Sequence, residues 1–257
     1  MRVGLTHSRG ALPGLDARLA AAGLTVEWQP LVSTEPRGAA ALVEEAGRLV
    51  GCDWLVFPSR SAVGAWFGHA LPALRSASPA AAVRLARQRA DGGPSLAVVG
   101  AGTAAELRDW GRAADLVGGG DARSTAAALV AVTGAGERVG LVQGALARPT
   151  LRSELERAGR EVVTATVYDT ITRPWAGEPA HVTVFASPSA VRAFGGAALR
   201  RTRPVAIGEV TLAELARLGL EATVAARPDG AAVAEAVERA AAVAGVPDRS
   251  AGGEARP

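Results

Sequence analysis

Lysine is missing from this chain of 257 residues: all 28 basic side chains are arginine. That excludes a lysine Schiff base, pyridoxal-phosphate chemistry and a phosphate-cradling P-loop, each of which needs the amine. Arginine stays charged and forks onto carboxylates. An arginine-only surface therefore suits acidic small molecules, although high-GC coding bias explains the same composition. Cys52 is the sole cysteine, which excludes an internal disulfide and a cysteine-cluster metal site. His7, His69 and His181 lie far apart and show no ligand spacing, so no metal is expected. The formal net charge is only +3, which by itself does not report function. No uninterrupted apolar run approaches the roughly 20 residues of a membrane span. No apolar leader precedes the strand-like Arg2–Thr6. A cytoplasmic protein is expected, with neither membrane nor nucleic acid as a partner.

What the chain does have is apolar residues, 49% of the total, enough to fill more than one core. Short β-rich runs alternate with alanine- and leucine-rich stretches. Strands are predicted at Val3–Thr6, Thr25–Pro30, Trp54–Phe57, Leu96–Val99, Arg138–Val142, Val162–Tyr168, Val182–Phe185 and Val205–Ile207. Helices are predicted at Gly14–Ala22, Ala39–Val50, Thr103–Trp110, Thr150–Ala158 and Thr211–Leu218. The alternation, and strands that are almost continuously apolar, imply an α/β protein with parallel sheets covered on both faces.

The sequence also repeats itself. "RVGLTHSRG" from Arg2 resembles "RVGLVQGAL" from Arg138, "FPSRSAV" from Phe57 resembles "FASPSAV" from Phe185, and "AVVGAGTAAELRDWG" from Ala97 resembles "VAIGEVTLAELARLG" from Val205. Three blocks in the same order indicate tandem duplication of one α/β unit. Between Leu71 and Pro94 the first copy carries an insert, with a short helix expected at Ala80–Ala90. Ser33–Arg37 and Thr170–Trp175 follow strands, are polar and end near proline, and are read as the two crossings between domains.

These blocks resemble the uroporphyrinogen-III synthase family from residue 2 to about residue 240. The pieces that carry the likeness are the two F-x-S-x-S-A-V segments, the two G-x-x-T turns and "TVYDTITRP" with Tyr168. The resemblance implies two Rossmann-like or flavodoxin-like parallel-sheet domains, the second inserted into the first and joined by two crossing segments. Domain 1 would comprise 1–35 plus 173–245, domain 2 would comprise 36–172, and 246–257 would be a disordered tail. It also implies a cofactor-free lyase acting on hydroxymethylbilane, a polyanion with acetate and propionate arms on every ring. The substrate loses its terminal hydroxyl as water, closes through a spiro-pyrrolenine, and emerges with ring D inverted. A monomer is implied, with transient contact to hydroxymethylbilane synthase.

Ser59, Thr103, Ser187 and Thr211 each fall where a strand gives way to a helix. Ligands of open α/β folds bind at such carboxyl ends, and helix N-termini offer free N–H groups to carboxylates. The alternative is that all four are N-caps, each worth about 1 kcal/mol. Tyr168, the only tyrosine, is the family's conserved tyrosine by resemblance and a candidate donor to the departing hydroxyl. Its alternative is an aromatic packed at a strand end. Thr103 is the second catalytic candidate. Candidate substrate contacts are Thr6, Ser59, Arg60, Gly100, Gly144, Arg148, Ser187, Gly208 and Thr211.

The chain departs from the family at three turns. His7 stands where arginine is usual, Pro58 and Arg60 flank Ser59 in place of the commoner threonine and proline, and Gln143 precedes Gly144 where many members have arginine. Arg148 is expected to supply that charge, and His7 reads as a loop residue without a role. "GAGTAA" from Gly100 also matches a dinucleotide-binding turn, with Asp121 about where a ribose-binding acid would sit. Its repeat "GEVTLA" from Gly208 lacks the second glycine. Three functions therefore compete: the synthase, a two-lobed small-molecule binder, and an NAD(P)-dependent oxidoreductase.

Overall fold

A computed structural model describes residues 1–87 and 89–244; the tail expected at 246–257 lies outside them. Eleven strands form two sheets among the described residues: β1 (Arg2–Leu5), β2 (Thr25–Trp28), β3 (Val32–Pro36), β4 (Trp54–Phe57), β5 (Ser95–Val98), β6 (Leu116–Val117), β7 (Arg138–Gly144), β8 (Glu161–Thr172), β9 (Val182–Phe185), β10 (Arg203–Ala206) and β11 (Thr223–Val224). One compact unit combines Met1–Ser33 with the described residues from Ile171 to 244, and the other spans Thr34–Thr170.

The first unit's sheet has the order β11-β10-β9-β1-β2, every pair parallel. Counted along this unit, that is the flavodoxin-like order 2-1-3-4-5, with its topological switch point between β1 and β9. The second unit's sheet has the order β3-β8-β7-β4-β5-β6. Its pairs from β8 to β6 are all parallel. With β7 and β8 taken as first and second, it has the same order, and its switch point lies between β7 and β4. The duplication thus does not give one repeat per sheet. β1 and β2 of the first repeat join β9, β10 and β11 of the second, while β7 and β8 of the second join β4, β5 and β6 of the first.

Both sheets are buried on both faces, as their apolar strands require. In β4, Leu55 and Phe57 pack into one core, and Trp54 and Val56 into the other. In β9, Val182 and Val184 face one core and Phe185 the other. The expected insert is helical throughout most of its length, forming Leu71–Ala77 and Pro79–Ala86 in place of one helix at 80–90. Leu74 and Leu85 bury these helices against the Phe57 side.

The expected crossings are strand over part of their length, 33–36 in β3 and 170–172 in β8. β-branched Val32, Thr34, Thr170, Ile171 and Thr172 favour extended backbone, and β3 is the neighbour of β8. Arg37 N–H donates to Val167 O at 3.1 Å, and the Arg37 guanidinium pairs with Asp169 at 3.0 Å. β6 and β11, two residues each, carry too little pattern to be read from the sequence.

Candidate functional site

In the second unit, the ends of β4 and β7 flank the switch point. β4 runs into Pro58 and Ser59, where the backbone is extended and the helix Arg60–Ala65 begins. Ser59 Oγ accepts from Ala62 N–H at 3.1 Å, so the serine is a true N-cap. The same Oγ lies 3.2 Å from the Tyr168 phenol, and either can be the donor. One atom of Ser59 thus serves as the helix cap and as the contact to Tyr168.

Tyr168 reaches that position because the ladder slips at Gly144. The register between β7 and β8 shifts after Gln143, and Gly144 pairs with Tyr168. The half-buried ring lies across the glycine: a Cβ on Gly144 would stand 2.4 Å from Tyr168 Cε2 and 2.9 Å from its Oη. Gly144 is therefore required for close approach and makes no contact of its own with a ligand through a side chain. Beyond it, the exposed turn Ala145–Pro149 carries Arg148, which shares a cavity with the phenol. Ser59, Asp121, Gln143, Gly144, Arg148 and Tyr168 line this cavity of about 440 Å³.

Gly100, not Thr103, is the N-cap of the helix Ala101–Asp109, and Gly208, not Thr211, is the N-cap of Glu209–Arg217. The threonines lie in the first turns and are buried, at 8% and 3% exposure. The cap reading of Thr103 and Thr211 is therefore corrected, while that of Ser59 and Ser187 stands. Glycine suits the first of these turns because a Cβ on Gly100 would come within 3.3 Å of Gly120 Cα. Gly100, Thr103 and Arg60 do not line the Tyr168 cavity. Arg60, the first helical residue after Ser59, is exposed.

In the first unit, Ser187 Oγ accepts from Ala190 N–H at 3.2 Å, repeating the cap at Ser59, and lies 3.0 Å from Ser189 Oγ. Thr6 is buried and its hydroxyl donates to Val184 O at 2.7 Å, so it ties β1 to β9 at the switch point. His7 is not a loop residue without surroundings. It is buried, its ring meets Trp28 edge-on at a centroid distance of 5.0 Å, and Nδ1 donates to Ser8 O at 3.0 Å. Nε2 is buried without a hydrogen-bond partner. Burial holds the imidazole below the ordinary histidine range, opposed by the Ser8 carbonyl.

Sequence reasoning missed two liners of the cavity, Gln143 as a contact and Asp121 as its acid. Asp121 caps the helix Ala122–Val132 through bonds of 2.8 and 2.9 Å from Arg123 and Ser124 N–H. The signal was present in an acidic residue followed by an alanine-rich run. This capping role accounts for Asp121 without a ribose. Among the described residues no three His, Cys, Asp or Glu side chains gather as a metal site, and no helix is long and apolar enough to cross a membrane.

The family model described as uroporphyrinogen-III synthase HemD matches residues 14–235. A mutant uroporphyrinogen III synthase from the extremely thermophilic bacterium Thermus thermophilus superposes with a TM-score of 0.62 at 18% identity, covering 95% of this chain and 99% of that one. The uroporphyrinogen-III synthetase of Helicobacter pylori gives 0.59 at 15% identity, with 95% and 100% covered. Comparison with curated proteins finds no significant relative. The two structures share the fold, and the match of the family model over nearly the whole length shows that the chain belongs to the uroporphyrinogen-III synthase family.

Proposed function

We propose that this lyase of tetrapyrrole biosynthesis carries out water loss from hydroxymethylbilane at the second unit's cavity, with Tyr168 as the donor. The Ser59–Tyr168 contact carries the proposal. Ser59 Oγ already accepts from Ala62 N–H. If its proton goes to the phenol oxygen, the Tyr168 proton is left to donate outward, and each bond polarises the next. An unassisted phenol is a weak acid, with a pKa near 10. The donor chain that begins at a helix N-terminus strengthens Tyr168 toward the oxygen of the breaking C–O bond.

Within the second unit, carboxylate arms are assigned to the amides at the turns of Ser59 and Gly100 and to Arg60 and Arg148; within the first unit, the turns of Ser187 and Gly208 are of the same anion-accepting kind. Thr6, Thr103 and Thr211 are assigned positioning roles. Thr6 fixes the β1–β9 junction, and the two buried threonines sit in the first turns that present those amides. The departures at His7, Pro58 and Gln143 leave Arg148 as the charged residue of the cavity turn. Because free hydroxymethylbilane closes unaided to the type I isomer, the substrate must be captured soon after release. That supports transient contact with hydroxymethylbilane synthase, and the proposal includes a monomer in the cytoplasm.

Enzymatically made hydroxymethylbilane, mixed with the protein and resolved into product isomers, tests the reading. The type III isomer should exceed the type I isomer formed without protein. Type I alone would overturn it, and binding without turnover would favour the two-lobed binder.

A further inference from the structure

We propose that the Asp121 carboxylate is the counter-charge for the cationic intermediate of ring closure, accepting a hydrogen bond from the pyrrole N–H of the ring that loses its hydroxyl. The proposal rests on the synthase reading and adds a residue to it.

Asp121 is the only carboxylate among the residues lining the Tyr168 cavity. It is held in place and ionised. Oδ1 accepts from Arg123 and Ser124 N–H at 2.8 and 2.9 Å, and Oδ2 accepts from Ser124 Oγ at 2.9 Å. The Ser124 backbone bond, then its hydroxyl, keep the carboxyl below the usual carboxylate range. A fixed negative charge opposes the binding of a substrate that carries carboxylates on every ring. It is useful only against a part of the substrate that is, or becomes, positive.

Capping accounts for an acidic residue at this turn, and the repeat shows what is particular to Asp121. The duplication supplies an internal comparison, because Asp229 occupies the matching position in the first unit. It also caps a helix, accepting from Ala232 N–H at 2.9 Å. The Asp229 charge is met by Arg227 at 2.9 Å. Among the described residues no arginine stands within ion-pair distance of Asp121; Arg123 lies 3.7 Å from Glu154 and acts on Asp121 only through space. Of two equivalent caps, one is held in a direct ion pair and the one in the cavity is not.

The reaction creates a positive centre to receive it. When the C–O bond breaks, the hydroxyl takes a proton from the Tyr168 phenol and leaves as water. Electrons from the pyrrole nitrogen fill the vacated carbon, and the ring N–H carries the positive charge until ring D attacks; the charge then passes to ring D, whose nitrogen loses its proton to give the spiro-pyrrolenine. The phenolate regains its proton from solvent. The carboxylate stays ionised throughout and transfers nothing. Its attraction grows as the charge develops, so it lowers the barrier more than it aids binding.

The test compares Asp121→Asn, Asp121→Ser and Asp229→Asn with the wild type, using enzymatically made hydroxymethylbilane and separation of the isomers. Asn and Ser both retain a helix cap. Both Asp121 variants should fold and lose about ten- to a hundredfold in kcat, the range for one charge-assisted hydrogen bond. KM should be unchanged or lower, because a repulsive charge has gone. Asp229→Asn should turn over like the wild type. Wild-type kcat in either folded Asp121 variant, or an equal loss in Asp229→Asn, would reduce Asp121 to a cap and overturn the proposal. A wild-type protein that makes no type III isomer would instead overturn the synthase reading.

Discussion

Adding one methyl group at Gly144 should disable the Tyr168 donor without touching a polar atom. A Cβ there would lie 2.4 Å from Tyr168 Cε2 and 2.5 Å from Cζ. Carbon atoms in contact prefer about 3.5–4.0 Å, so the ring must move by about 1 Å. The Ser59–Tyr168 contact is already 3.2 Å, and a shift of that size away from Ser59 takes it beyond hydrogen-bonding range. The backbone itself accepts alanine, because Gly144 is not among the glycines of positive φ. Gly144→Ala should fold with a loss of about 1–3 kcal/mol, the usual overpacking cost. Type III turnover should fall by about ten- to a thousandfold, matching Tyr168→Phe, which removes the same donor. Both should retain the type III product, with KM changed less than kcat. The double variant Gly144→Ala/Tyr168→Ala should recover stability, because the clash is gone, but not activity. Stopped-time isomer assays and thermal denaturation read both quantities. Wild-type turnover in a folded Gly144→Ala would refute the reasoning and return Tyr168 to a packing role.

Three further outcomes are expected. Arg148→Ala or Arg60→Ala should raise KM by about ten- to a hundredfold while turnover persists, since several groups share the anionic arms; complete inactivation of a folded single variant would contradict this. His7, held below its ordinary value of 6.5 by burial, leaves the unfolded chain binding the extra proton as pH falls. Its contribution to stability is therefore full above about pH 6.5 and declines on acidification. The wild-type Tm should drop more steeply below that pH than the Tm of His7→Gln, and parallel curves would dismiss the effect. We also propose residues 36–172 as an independently folding domain, which should melt in one cooperative transition as an isolated fragment; a broad, non-cooperative melt would reject that boundary.

The strands that could be read from sequence are those whose apolar runs are buried on both sides, such as Trp54–Phe57 and Val182–Phe185. β3 reads as a linker because Ser33 and Thr34 are polar and a proline ends it; its strand character comes from its place beside β8, far later in the chain, which no local pattern records. The serine caps were legible because a side chain at the cap position does the capping. The threonines misled because the capping residue earlier in the turn is glycine, which satisfies the turn by backbone shape alone. The burial of His7 arises from Trp28 on the neighbouring strand, a contact fixed by sheet pairing. In the sequence Asp121 stands out only as a possible ribose-binding acid, because β6, the strand it follows, is two residues long and leaves no pattern to mark a strand end there. The repeat blocks were plain in the sequence, but the exchange of strands between the sheets was not expressed in any block alone.

That exchange gives the two sheets different histories on the ribosome. The sheet of the second unit uses only strands encoded between residues 32 and 172, so it can close while the rest of the chain is still being made. β1 emerges first but has no inner neighbour until Val182 is available to pair with Val3. The first two strands must therefore stay unassembled through the synthesis of a whole domain, and the sheet they belong to is completed last. Contacts so distant in sequence slow folding, and a chain truncated before β9 would carry β1 and β2 as an orphaned edge exposed to aggregation.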